Sequence, residues 1–158
     1  MSTEAAFADL AALLEELSAI SGTRAKTARL ASYLATLGPD DLRRACTFLG
    51  GSPFPIGDPR RLMLGWAAIG DVLRDLTHLS DDDLRITYLA HGDLGMLAAD
   101  VLSRHPPSPP LFARPLTLRH VAEAFDVIAA FQGPSSRRAK TAALRALLVD
   151  ASPLEPSI

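Results

Sequence analysis

The chain has 158 residues, of which 48% are hydrophobic, and this length lets a single domain bury about two thirds of its surface. The net charge of −2 excludes a protein that attracts polyanions with its whole surface, so any nucleic-acid interface must be a local patch. A single cysteine excludes an internal disulfide framework and a cysteine-based zinc cluster. Helix-forming Ala, Leu and Arg dominate and no segment alternates with period two, which predicts an all-α fold.

Three helices are predicted in the first third of the chain. Apolar side chains recur at helical spacing over residues 4–20 and again over residues 24–37. Gly38 and Pro39 end the second helix, and Pro39 suits the first turn of a third. Cys46 falls in the apolar pattern of that third helix, so we interpret it as a small core residue and not as a reactive thiol.

The first long loop is predicted over residues 50–59. Its Phe54 and Ile56 are expected to pack against helices, because a loop of this length must be anchored somewhere. A fourth helix is predicted over residues 61–77, where apolar positions again recur at helical spacing.

Ser80 precedes three aspartates and is therefore predicted to cap a fifth helix over residues 81–90. A tight turn then leads into a sixth helix over residues 95–104. The proline-rich residues 105–116 that follow are expected to form an extended, linker-like segment within the domain.

The end of the chain repeats the arrangement of its beginning. Thr117 is predicted to cap a seventh helix, which a Gly-Pro-Ser turn ends, and an eighth helix covers residues 136–150. The last two helices mirror the first two, so we predict a single-domain bundle of about eight helices with two pseudo-symmetric halves. Residues 1–151 form this helical domain, and residues 152–158 are expected to be a flexible tail.

The chain contains only two lysines, and both lie in the same five-residue motif. Residues 24–28 and 138–142 each read Arg-Ala-Lys-Thr-Ala, and Gly, Ser and Thr residues precede both copies. A helix start of this kind offers unpaired N–H groups and the positive end of the helix dipole, which together can hold phosphate. Cations oppose the dipole there, so helix stability does not explain them and a bound anion would. The alternative is that both copies are ordinary solvated helix starts.

Other chemistry is not indicated. The four histidines lack metal-ligand spacing, and the paired carboxylates at residues 40–41 and 81–83 lie at helix starts, where acids are favoured. The sequence predicts no metal site, no cofactor and no catalytic residue. The N-terminal residues do not resemble a signal peptide, and no stretch of 18 residues is apolar enough to span a membrane. We therefore expect a cytoplasmic protein, which would be associated with the nucleoid if it is bacterial.

Five short motifs occur in series along nearly the whole chain. They are Ser21 through Lys26, Gly51-Ser52-Pro53-Phe54 with Leu62 through Trp66, Gly92-Asp93-Leu94-Gly95, Pro115-Leu116-Thr117, and Gly133 through Lys140. This series resembles the N-terminal, all-helical DNA-binding domain of the ATP-dependent DNA ligases. Each motif is weak alone, and their order gives the resemblance its specificity.

The resemblance implies a domain that binds nicked duplex DNA through the minor groove and the sugar-phosphate backbone, as in DNA repair and replication. It implies DNA contacts at residues of both repeated turns. These residues are Ser21, Gly22, Thr23, Arg24, Lys26, Gly133, Ser135, Ser136, Arg137, Arg138 and Lys140.

Two departures from the family pattern bear on function. The ligase nucleophile lies in a Lys-x-Asp-Gly motif, whereas Lys26 and Lys140 are each followed by Thr-Ala, so we expect no enzymatic activity. Family members also continue into a further helix and a basic element, whereas this chain ends shortly after residue 152. We therefore expect either a domain fragment or a stand-alone relative.

The leading hypothesis is a non-catalytic module for duplex or nicked DNA that assists a separately encoded ligase core or another repair enzyme. Both turns are predicted to lie on one side of the bundle. With about 3–6 phosphate contacts, the log–log salt slope of binding would be about −3 to −5, and removing both lysines would reduce it by about two. The alternative is a helical protein-interaction scaffold that uses the proline-rich segment and binds no DNA.

Overall fold

The computed structural model describes residues 4–92, 97, 100–102, 104–105 and 116–151. The protein is all-α, as the sequence predicts. Seven helices are bounded in the described part: α1 (Phe7–Ala19), α2 (Thr23–Leu34), α3 (Pro39–Leu49), α4 (Trp66–Thr77), α5 (Asp81–His91), α6 (Leu118–Ala130) and α7 (Ser136–Ala151). The described residues of the predicted 95–104 helix are helical. Most of the predicted linker and the whole predicted tail lie outside the described residues.

The chain divides into two compact units, each with its own core. The N-terminal unit comprises Met1–Arg60 with Pro115–Phe125, and the C-terminal unit comprises Arg61–Arg114 with Asp126–Ile158. Helix α6 therefore contributes residues to both units. The boundary does not follow the two predicted halves, and the pseudo-symmetry of those halves stays a prediction.

The core of the N-terminal unit is built by the inner faces of α1, α2, α3 and the start of α6. Its buried residues are Leu10, Leu13, Tyr33, Ala45 and Leu118. Phe48 and Phe125 pack edge to face, with ring centroids 5.7 Å apart. A single antiparallel bridge joins Ala6 to Thr117, so the chain segments that enter α1 and α6 are tied together.

Two expectations for this unit are wrong. Cys46 is exposed, and its neighbour Ala45 is fully buried, because the stripe of α3 that faces the core is one residue out of phase with the predicted one. Ile56 is fully exposed, whereas Phe54 is buried beneath the Arg60 guanidinium, 4.4 Å from the ring centroid. One apolar side chain is thus enough to anchor the loop.

The core of the C-terminal unit is formed by Leu73, Leu84, Leu97 and Val101. Ser80 caps α5 as predicted, because its Oγ accepts a hydrogen bond from Asp83 N at 3.2 Å. Thr117 Oγ1, in the N-terminal unit, accepts from His120 N at 3.1 Å and caps α6 in the same way.

Helix α4 begins five residues later than the sequence predicts. Met63 has a left-handed backbone with φ of 54°, which an α-helix cannot contain, so the segment before Trp66 is extended and irregular. This segment packs beside α7, which also packs extensively along α4. Because α4 starts late, the second repeated motif, residues 138–142, lies beside this irregular segment.

Candidate nucleic-acid interface

The first repeated turn lies between α1 and α2, and every residue from Ser21 to Lys26 is exposed. Gly22 is extended, with φ of −91° and ψ of 132°, and no described side chain caps the helix start. The first backbone hydrogen bond of α2 runs from Lys26 N to Gly22 O at 3.0 Å. The N–H groups of residues 23–25 therefore point out of the helix end, and the first turn contains no acid to offset the dipole.

The cations near this turn differ in their surroundings. Arg29 donates from Nε and Nη2 to the Glu16 carboxylate at 2.6 and 3.2 Å, which raises the pKa of Arg29 and lowers the pKa of Glu16. Arg24 and Lys26 form no ion pair with any residue that the structure describes. Two free cations therefore lie beside an uncapped helix start, a combination that suits an anion.

The second repeated turn lies between α6 and α7. Gly133 has φ of 95°, a left-handed conformation that favours glycine, and Ser136 N donates to Gly133 O at 3.1 Å. Ser135 is exposed and Ser136 is half-buried at the start of α7. Arg138 is exposed and makes no ion pair within the described ranges.

Lys140 is not equivalent to Lys26, although the two occupy the same place in the repeated motif. Only 7% of Lys140 is exposed, and its Nζ donates a hydrogen bond to Leu62 O at 2.8 Å. It lines a cleft of about 260 Å³ with Met63, Gly65 and Ser136. The two lysines have the same sequence motif, but Lys140 points inward from α7, toward the segment before α4.

Two of the three arginines of α7 are paired with acids of α4. Arg137 Nη2 lies 2.7 Å from Asp71 Oδ2, and Arg145 pairs with Asp75. Asp71 also pairs with Arg74 of its own helix. Carboxylates of the same unit therefore compensate Arg137 and Arg145, whereas Arg24 and Lys26 at the first turn have no such partner among the described residues.

The sequence does not indicate that Asp71 and Asp75 pair with arginines of α7. The two acids are four residues apart on α4, a spacing that is ordinary on a solvated helix face. Their arginine partners lie 66 and 70 residues further along the chain. No local pattern indicates pairs at such a separation.

The two turns belong to different compact units, the first to the N-terminal unit and the second to the C-terminal unit. Their predicted convergence on one side of the protein stays a prediction. Within the described ranges, no three His, Cys, Asp or Glu side chains are grouped as metal ligands. None of the described helices combines the length and the apolar character that a membrane span needs.

Similarity to known proteins extends over almost the whole chain. The family model described as the DNA ligase N terminus matches residues 6–157. The DNA ligase of Methanopyrus kandleri is 32% identical over 149 residues, and that of Archaeoglobus fulgidus is 31% identical over 150 residues. Each match covers 94% of this chain and 27% of the relative.

A probable DNA ligase of Opitutus terrae is 37% identical over 98 residues, which are 62% of this chain and 10% of the relative. The chain thus spans about a quarter of the length of the archaeal relatives, and it matches their N-terminal part. The five motifs in series predict the same relationship. The chain belongs to the family of DNA ligase N-terminal domains.

Proposed function

We propose that the chain is a non-catalytic DNA-binding module that contacts the sugar-phosphate backbone of duplex DNA, nicked or intact. One observation carries the proposal: the exposed turn from Ser21 to Lys26 combines an uncapped helix start, two cations without an ion-pair partner among the described residues, and a first turn without acids. Backbone N–H groups and cations in this arrangement suit phosphate oxygens, which position a protein on DNA without reading its sequence.

The contacts that we propose at this first turn involve Ser21, Gly22, Thr23, Arg24 and Lys26. Those that we propose at the second turn involve Gly133, Ser135, Ser136, Arg137, Arg138 and Lys140. Arg138 is available in the free protein, whereas Lys140 must leave Leu62 O before it can touch a phosphate. We therefore expect the first turn to supply most of the electrostatic part of binding.

The sequence around the two lysines supports a non-catalytic role. Each is followed by Thr-Ala, so neither lies in the Lys-x-Asp-Gly motif of a ligase nucleophile, and Lys140 is buried as well. We also propose that the module assists a separately encoded ligase core or another repair enzyme. We propose a cytoplasmic localisation for the protein, where it can reach DNA.

A titration monitored by fluorescence anisotropy at low salt tests the proposal with three probes: a nicked duplex, the intact duplex and a single strand. We expect both duplexes to bind with a Kd of about 10⁻⁴ to 10⁻⁶ M or tighter, with a log–log salt slope of about −3 to −5. A duplex that produces no anisotropy change at about 100 µM protein would contradict the proposal.

That negative outcome would favour the alternative, a helical protein-interaction scaffold. One observation supports this alternative: Ile86 and Leu89 are exposed on α5, three residues apart on the same face. Exposed apolar side chains at helical spacing are common in surfaces that bind other proteins.

A further inference from the structure

The second turn differs from the first in the acids that face it. Arg137 lies at the start of α7 and pairs with Asp71 at 2.7 Å, and both side chains remain partly exposed, at 61% and 35%. Arg145 pairs in the same way with Asp75, one helical turn along α4. Two carboxylates of α4 therefore hold two guanidinium groups of α7.

Asp71 is the shared acceptor of a short chain of charges. It pairs with Arg74 as well as with Arg137, and Arg74 has a second partner in Asp81 at 2.9 Å. Arg137 has no other carboxylate partner among the described residues. Removal of the Asp71 charge would consequently leave Arg74 paired and would free Arg137.

We propose that Asp71 weakens DNA binding at the second turn, because Arg137 must exchange carboxylate for phosphate when DNA binds, and that the Asp75–Arg145 pair extends this effect further along α7. This inference rests on the proposed function. Exposed ion pairs are weak and exchange readily, and the guanidinium fork fits phosphate oxygens as well as it fits a carboxylate. The carboxylates of α4 also repel a phosphate that approaches the start of α7.

The exchange has a signature in the salt dependence. In the wild-type protein, a phosphate that takes Arg137 releases a cation, while the freed Asp71 carboxylate takes one up. In Asp71→Asn only the release remains, so the log–log salt slope should become steeper by about one.

The affinity for DNA should also increase. In low salt, Asp71→Asn should bind nicked and intact duplex more tightly, by up to about fivefold, the range that an exposed ion pair covers. Asp71→Asn combined with Asp75→Asn should bind more tightly still. Anisotropy titrations of the full chain at several salt concentrations measure both quantities, and circular dichroism checks that the variants remain helical.

A matched control separates this effect from a change of net charge. Glu123→Gln removes the same charge from an exposed pair with Arg119 in the N-terminal unit. We expect its affinity and salt slope to match the wild type. A gain in Glu123→Gln equal to that in Asp71→Asn would overturn the inference.

A second background tests the coupling. In Arg137→Ala the Asp71 charge has no arginine of α7 to hold, so Asp71→Asn should gain less affinity there, because it relieves only the repulsion of phosphate. An equal gain with and without Arg137 would contradict the exchange. If the wild type binds DNA and Asp71→Asn binds no more tightly, this inference alone fails; if neither protein binds, the proposed function fails and takes the inference with it.

Discussion

Lys26 and Lys140 have the same sequence neighbours and different surroundings in the fold. The aliphatic stem of Lys140 is buried along the inner face of α7, and its ammonium group ends on a backbone carbonyl. Lys26 lies at the solvated start of α2 with nothing described to hold it. A repeated motif therefore predicts a shared residue type and not a shared role, because the role depends on which face of the helix is covered.

The exposed lysine should act on DNA binding alone. Lys26→Ala should reduce the log–log salt slope by about one, because one phosphate contact is lost, and should leave the helical circular dichroism unchanged. Lys26→Arg keeps the charge and should keep the slope. A slope that stays at the wild-type value in Lys26→Ala would mean that Lys26 touches no phosphate.

The buried lysine should act on stability. Lys140→Ala removes a hydrogen bond from a charged donor and leaves Leu62 O without its partner, so we expect a loss of about 1–3 kcal/mol in the free energy of unfolding. Urea denaturation measures this loss. Lys26→Ala is the matched control and should stay within about 0.5 kcal/mol of the wild type. Equal stability of the two variants would contradict the buried position of Lys140.

At the scale of the helices, the sequence predicts a feature correctly where that feature depends only on residues a few positions apart. The caps at Ser80 and Thr117 are predicted correctly, because a side-chain oxygen reaches an N–H group only three residues away. The start of α4 is missed, since the left-handed backbone at Met63 interrupts an apolar pattern that would otherwise continue. The position of Cys46 is missed because a one-residue change of phase moves the apolar stripe around α3 by about 100°.

The pair between α1 and α2 predicts a pH effect. Arg29 lowers the pKa of Glu16, so the stabilisation that Glu16 contributes is present above its unfolded pKa of about 4.3 and is lost as pH falls through the lower folded pKa. Arg29→Gln should therefore be less stable than the wild type at neutral pH, and the difference should disappear in acid. In an NMR titration, the variant should raise the pKa of Glu16 back toward its unfolded value.

Arg43→Gln provides the control for this comparison. Arg43 is exposed on α3 and forms no ion pair within the described part of the chain, so its replacement should leave the pKa of Glu16 unchanged. A stability difference between Arg29→Gln and wild type that persists unchanged down to pH 2 would contradict the proposed ionic origin.

At the scale of the whole molecule, the order of weak motifs predicts the family correctly where no single motif would. The periodicity of the apolar residues predicts the all-α class for the same reason, since it is a property summed over many positions. The acids that face the second turn could not be predicted, because Asp71 meets Arg137 only through the packing of α4 on α7. If the second turn binds DNA as proposed, this long-range pairing would set the strength of that binding.

The proposed function depends on phosphate binding at the helix start after Ser21. The most direct test is an NMR titration of ¹⁵N-labelled protein with a nicked duplex. We predict that the backbone amides of residues 23–25 shift most among those of the N-terminal unit, because their N–H groups point out of the start of α2. DNA that binds while these amides keep their free positions, and that perturbs other surfaces, would contradict the claim.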